Sequence, residues 1–120
     1  MREKLGKYLK VLKIELEDLE EDLKLLNDVY SQQEKRDEIT DYVFLENVSL
    51  VQSEISGIEH IIQSLDDITI EGFSSFDDFV EYIDANFRKQ TQYSGFPEAV
   101  YVLVKRKLQK VSHYIVSHSD

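Results

Sequence analysis

The chain has 120 residues, a formal net charge of −10 and no cysteine. This length suits about one domain. Four glycines and one proline are too few for the many turns of an all-β fold. The negative charge disfavours nucleic acid as a partner, because binding to phosphates requires a positive field. The lack of cysteine excludes disulfides, thiolate metal sites and cysteine nucleophiles.

The N-terminal residues do not resemble a secretory signal. Met1 is followed by the charged residues Arg2, Glu3 and Lys4, and no apolar stretch of the required length comes after them. The longest apolar run, 99–104, is far too short to span a bilayer. We therefore expect a cytoplasmic protein that does not bind membranes.

Residues 5–30 carry the clearest pattern of the chain, a heptad repeat of apolar side chains. Eight of these residues follow one another at alternating spacings of four and three: Leu5, Leu9, Leu12, Leu16, Leu19, Leu23, Leu26 and Tyr30. Such a stripe predicts an amphipathic helix that packs along one seam. Leucine favours helix and the segment contains no proline, so we predict a long first helix here.

A second seam with the same spacing predicts a second long helix. Its members are Phe44, Val48, Val51, Ile55, Ile58, Ile62 and Leu65. Between the seams, Ser31 and Glu34 match a capping box, which would start the second helix near residue 32. Asp37 is a rival cap that implies a longer loop. Either start predicts an antiparallel helical hairpin, because the connection is short.

The register of this hairpin follows from pairing the ends of the two seams. With Leu5 near Leu65, residues at one level have numbers that add to about 71. The second helix is expected to end near Asp66 and Asp67, because two acids at a helix C-terminus oppose its dipole and Gly72 follows.

Two shorter helices are predicted in the remainder of the chain. Ser74 or Ser75 is the expected N-cap of helix 3, and Pro97 suits the first turn of helix 4. Their apolar faces are formed by Phe76, Phe79, Val80, Ile83 and Phe87, and by Val100, Val104, Leu108, Val111 and Ile115. The prediction is an all-α, four-helix-bundle-like single domain over residues 1–120, with the hairpin at 1–70 and helices 3 and 4 at 73–118.

The stripes beside the seams distinguish this bundle from a dimeric coiled coil. They contain further apolar residues, namely Tyr8, Val11, Leu25 and Val29 on the first helix and Val43, Leu50 and Ile61 on the second. Each long helix thus has a wider apolar arc than a two-stranded seam requires, which favours the intramolecular bundle. A dimer of hairpins stays open as the alternative, because helices 3 and 4 are shorter and leave part of the hairpin bare.

Four carboxylates interrupt these flanking stripes and form the main candidate for chemistry: Glu15, Asp18, Asp22 and Glu54. The predicted register places Glu54 level with Glu17 and Asp18. Oxygen ligands of this kind suit Mg²⁺ or Mn²⁺. The alternative is an ordinary solvated face, or a belt that pairs with the cations of helix 4, Lys105, Arg106 and Lys107.

Two acidic spacings match a formula of the all-α nucleotide pyrophosphohydrolases. Glu17-x-x-Glu20 is followed by Glu38-x-x-Asp41. In the predicted hairpin the second pair lies at the tip, ~20 Å along the helix from the first. Carboxylates so far apart cannot share a metal, so we attribute the match to acidic composition and do not assign the family.

No other motif carries chemistry. The three histidines lack the spacing of a metal site, and there is no nucleophile elbow and no glycine-rich phosphate loop. Ser53, Ser56 and Gly57 instead indicate a close approach of another helix to the second one.

The sequence therefore favours a protein without catalytic function. We predict a small intracellular interaction module, similar in kind to adaptors, chaperones or regulators, that binds a partner protein or a second copy of itself as a homodimer. No cofactor is expected. The alternative is a metal-dependent all-α hydrolase that uses Mg²⁺ or Mn²⁺ at the acidic cluster.

Overall fold

A computed structural model describes residues 1–118 of the chain. In this part the chain forms four α-helices, α1 (Arg2–Lys35), α2 (Asp41–Ser64), α3 (Phe76–Tyr93) and α4 (Glu98–Ser117), with a 3-10 turn (Leu65–Asp67) after α2. The helices α1 and α2 pack along each other. The predicted all-α fold with a long hairpin and two shorter helices is confirmed. None of the helices described has the length and apolarity that crossing a membrane requires.

The connection between α1 and α2 lies later in the chain than either predicted start allows. The helix α1 continues through Ser31 and Glu34 to Lys35. The glutamine, glutamate and lysine residues at positions 32–35 favour helix. The reversal contains Asp37, whose φ of 57° is a left-handed conformation that Asp tolerates. The N-cap of α2 is Thr40, whose Oγ1 accepts a hydrogen bond from the amide of Val43 at 3.1 Å. Both predicted caps, Ser31 and Asp37, are therefore wrong.

The later turn also changes the register of the hairpin. Lys13 Nζ lies 3.7 Å from Asp66 Oδ1 across the two helices, and these residue numbers add to 79. The predicted pairing, with numbers adding to about 71, is thus displaced by roughly one heptad. A shift of seven residues returns every seam position to the seam, so the heptads fit either register. In this register Glu54 lies near the level of Leu25, and its predicted level beside Glu17 and Asp18 is wrong.

The two shorter helices begin and end close to the predicted positions. Ser75 is the N-cap of α3 and its side chain accepts a hydrogen bond from the amide of Asp78 at 3.0 Å. The helix ends at Tyr93, and Gly95 adopts a φ of 69° in the turn that leads to α4. Glycine suits this turn because it has no Cβ to clash in the left-handed region.

One continuous core joins all four helices, but it reaches along only part of the hairpin. Its hairpin members come from residues 5–23 of α1 and from residues 51–65, a region that we call the base. The helices α3 and α4 contribute Phe79, Ile83, Phe87, Val100, Val104, Leu108, Val111 and Ile115. Residues 24–50, the distal half, contribute no buried side chain. The bundle is therefore confined to the base, as the shorter predicted lengths of helices 3 and 4 imply.

Two contacts position α4 against the base. A Cβ at Gly57 would lie 2.8 Å from Cγ2 of Val100, so only glycine permits this approach of α4 to α2. The close approach predicted here is confirmed for Gly57, whereas Ser53 and Ser56 are exposed. At the other end of α4, the hydroxyl of Tyr8 accepts a hydrogen bond from Ser112 Oγ at 3.3 Å, and burial raises the pKa of Tyr8 to about 12.

Candidate interaction surface

The helices α3 and α4 cover only one side of the hairpin. On α1 this covered side contains Tyr8 and Glu15, which contact α4. On α2 it contains Gly57, which lies against α4. The opposite side carries the exposed ion pair between Lys13 and Asp66. The stripes that the sequence predicted to have additional neighbours therefore do have them at the base.

The covered side continues into the distal half without α3 or α4 upon it. Steps of three, four or seven residues along both helices lead to six side chains on this side, which we call the distal face. Asp22 and Glu54 lie at the edge of the base, and the other members, Leu25, Val29, Val43 and Leu50, lie in the distal half. Its four aliphatic members are all exposed, and Leu25 retains 60% of its accessible surface. A hydrophobic stripe that is buried at the base is thus open to solvent farther along.

The observed register brings the two halves of the distal face together. Val29 on α1 is level with Leu50 on α2, Leu25 lies about one turn nearer the base, and all three side chains are exposed. Asp22 and Glu54 lie at the end of the face nearest the base. The face therefore consists of an aliphatic centre that is bordered by two carboxylates.

Leu45, near the start of α2, is a leucine on the opposite side of the hairpin that can be compared with Leu25 of the distal face. Leu45 follows the seam residue Phe44, whereas Val43 of the distal face precedes it, so the two project to opposite sides of α2. Leu45 is 62% exposed, almost the same as Leu25. The two residues therefore match in type and exposure and differ in the side of the hairpin that they occupy.

The four carboxylates predicted as a metal-binding cluster have different environments. Glu15 accepts hydrogen bonds from Lys110 Nζ at 3.0 Å and from Lys107 Nζ at 3.3 Å. These bonds, that from Lys110 first, lower the pKa of Glu15, although partial burial opposes the effect. Asp18 and Asp22 are exposed and form no ion pair within residues 1–118. Glu54 is half-buried, and desolvation raises its pKa.

The predicted pairing of the belt with helix 4 thus holds for Glu15. Lys107 belongs to the predicted trio of cations, and Lys110 lies one turn farther along α4. In the part of the chain that the structure describes, no group of three or more His, Cys, Asp or Glu side chains is arranged to hold a metal ion. A cation at Glu15 would have to compete with two ammonium groups. Metal binding by the belt stays a prediction.

The acidic pairs that match the hydrolase formula lie in different parts of the hairpin. Glu20 is at the base and forms an ion pair with Lys24 at 3.4 Å. Glu38 lies in the turn and Asp41 opens α2, both exposed to solvent. The separation along α1 is about 25 Å. The two pairs cannot act on one metal ion.

One polar cluster was not predicted from the sequence. The Tyr101 hydroxyl donates a hydrogen bond to Asp84, and Arg88 contacts the same hydroxyl at 3.4 Å. The bond with Tyr101 and the nearby Asp84 raise the pKa of Arg88. The spacing of Asp84 and Arg88 by four residues suggests a helical ion pair, but nothing in the sequence shows that Tyr101 of α4 joins them. The cluster links α3 to α4 and thereby stabilises the pair of helices that covers the base.

Comparisons with known proteins give no assignment, because no family model, curated protein or solved structure matches the chain. The distal face is therefore the main indication of function in this protein.

Proposed function

We propose that this protein is a small helical interaction module whose distal face binds a partner protein. The observation that carries the proposal is the exposure of Leu25, Val29, Val43 and Leu50 on the side of the hairpin that α3 and α4 cover at the base. Clustered exposed aliphatic side chains are characteristic of interaction sites, whereas single ones are ordinary surface features. Binding would extend the bundle by adding a helix where the chain supplies none.

The energy available at this face is adequate for a modest interaction. Removing an exposed leucine or valine from water stabilises a complex by roughly 1–2 kcal/mol. Leu25 and Leu50 lie at the centre of the face, where residues that dominate binding energy usually occur. Asp22 and Glu54 would form part of the polar rim.

The proposed activity involves no catalytic group and no cofactor. It suits an adaptor, chaperone or regulator that acts in the cytoplasm by holding a segment of another protein, and it also allows a second copy of the chain as the partner. The distal half suits this role because it projects from the core, so a partner reaches it without disturbing the base.

Crosslinking from matched positions tests this proposal. A photoreactive benzoylphenylalanine is placed at position 25 or at position 45 of the full chain, in cells that produce the protein naturally. Both positions are exposed, so neither substitution should affect folding. We expect a discrete crosslinked product from position 25 that position 45 does not give, and a product of twice the chain mass would identify a second copy. Equal products from both positions would contradict the proposal.

A further inference from the structure

We infer that the segment bound by the distal face is a basic amphipathic helix of a partner protein, an inference that rests on the proposed function. The distal face adjoins a surface on the same side of the hairpin that α4 already occupies.

The cover that α4 provides at the base shows which helix chemistry fits this side of the hairpin. The apolar side of α4, including Val104 and Leu108, is buried. Beside it, the ammonium groups of Lys107 and Lys110 bind the carboxylate of Glu15. A helix with an apolar stripe and flanking lysines thus satisfies both the aliphatic and the acidic residues of the covered side.

The distal face repeats this combination without its cationic part. Leu25 and Leu50 provide the aliphatic centre, and Asp22 and Glu54 provide carboxylates that have no ion pair among residues 1–118. Desolvation already raises the pKa of Glu54, so this carboxylate would gain from a cation that replaces lost solvent. A helix with lysine or arginine beside its apolar stripe would complete the pattern.

Charge argues against a second copy of the chain at this position. Residues 1–72 contain eight basic and eighteen acidic residues, a net charge of −10. Two hairpins that face each other would bring these acidic surfaces together, and like charges at an interface oppose association. The part of α1 that contributes no buried side chain, residues 24–35, is about 18 Å long and accommodates roughly three turns of a bound helix.

Three synthetic peptides of 18 residues test the inference. They share one leucine stripe at helical spacing and carry lysine, glutamine or glutamate beside it. Their binding to the full chain is measured by fluorescence anisotropy with a label on each peptide. We expect the lysine peptide to bind about tenfold more tightly than the glutamate peptide. Each exposed ion pair strengthens binding by only a small factor, and the two carboxylates of the distal face allow two such pairs. The difference should shrink at high salt, which screens such pairs.

Two sets of variants place the binding on the distal face. Leu25→Ser should weaken binding of the lysine peptide, whereas Leu45→Ser, the matched control, should leave it unchanged. The double variant Asp22→Asn, Glu54→Gln should remove most of the preference for lysine over glutamate. Circular dichroism of each variant confirms that helical content is retained.

The possible failures separate the two proposals. If the three peptides bind equally and Leu25→Ser still weakens them, the basic partner is wrong and the proposed binding function stands. If the chain alone sediments as a dimer that Leu25→Ser dissociates, the occupant is a second copy and the inference is overturned. If Leu25→Ser and Leu45→Ser behave alike with every peptide, both the inference and the distal site are refuted.

Discussion

The base and the distal half of the hairpin share one heptad pattern but have different neighbours. At the base, Leu12 and Leu16 are fully buried because α3 and α4 cover the side beside the seam. In the distal half, Leu26 and Tyr30 occupy equivalent seam positions and are only partly buried. The heptads thus define which stripe of each helix faces the other, whereas the additional helices decide how deeply that stripe is buried.

The same comparison applies to charge. Glu15 and Glu54 lie on one side of the hairpin, and their pKa values move in opposite directions. Hydrogen bonds from Lys110 and Lys107 lower the pKa of Glu15, whereas desolvation raises that of Glu54. The cover by α4 supplies cations as well as apolar surface, and the distal half lacks both.

The largest expected difference between the two regions concerns stability. Leu12→Ala should lower the free energy of unfolding by about 3 kcal/mol, because it leaves a cavity in a closely packed core. Leu26→Ala should cost about 1 kcal/mol, because this partly buried site loses less buried area. Urea unfolding followed by circular dichroism measures both values, and equal losses would show that the distal half is packed as tightly as the base.

Two glycine substitutions should have opposite signs. Gly57→Ala should destabilise the fold by about 1–2 kcal/mol, because its Cβ would lie 2.8 Å from the stiff, buried side chain of Val100. Gly6→Ala is the matched control within α1. Apart from the backbone of its own helix and its chain neighbours, no atom lies within 4 Å of a Cβ placed at Gly6, so the better helix propensity of alanine should stabilise the chain by roughly 0.5–1 kcal/mol. Stabilisation by both changes would contradict the close approach of α4.

A smaller effect should appear in the pH dependence of Glu15→Gln. Because the pKa of Glu15 is below 4.5 in the folded chain, its contribution is complete above pH 4.5 and is lost as the pH falls through the folded value. The variant should therefore be less stable by about 0.5–1 kcal/mol at pH 7, and the difference should vanish in acid. In contrast, Glu54→Gln should stabilise the folded chain slightly at pH 7, since it removes a desolvated charge. Thermal melts across pH 3–8 measure the stability change of each variant. If the loss caused by Glu15→Gln persisted in acid, packing rather than charge would be the main contribution of Glu15.

The smallest expected effect is that of divalent metal. Thermal melts in millimolar Mg²⁺ or Mn²⁺ should differ from melts at equal ionic strength in NaCl by less than about 1 °C. The reason is that Glu15 already binds two lysines and the remaining carboxylates of the belt do not converge around one point. A clear upward shift that Asp18→Asn and Glu54→Gln abolish would instead support the hydrolase alternative.

Much of the fold could be predicted from the sequence because apolar periodicity and capping residues act locally. Both heptad seams, the cap at Ser75 and the apolar faces of α3 and α4 correspond to the observed elements. The turn could not be located in this way, because the polar residues after Tyr30 satisfy helix and loop equally well. The register error followed from the turn, since a seven-residue shift leaves the seams aligned.

The distal face was visible in the sequence only as separate apolar and acidic residues in the flanking stripes. Its identity as one exposed surface depends on where α4 begins relative to the hairpin, and this is set by long-range contacts such as that of Gly57 with Val100. The same contacts determine that Glu15 receives lysines and that Glu54 does not. Heptad spacing contains no information on either point.

Hydrogen–deuterium exchange of the full chain tests the central claim most directly, because it compares the base and the distal half in one experiment. Without peptide, amides in residues 24–50 should exchange much faster than those in residues 5–23, since a two-helix arm opens more readily than a four-helix core. Addition of the lysine peptide should slow exchange in residues 24–50 and leave the base unchanged. Equal protection of the two regions, or peptide-induced protection confined to the base, would contradict the account.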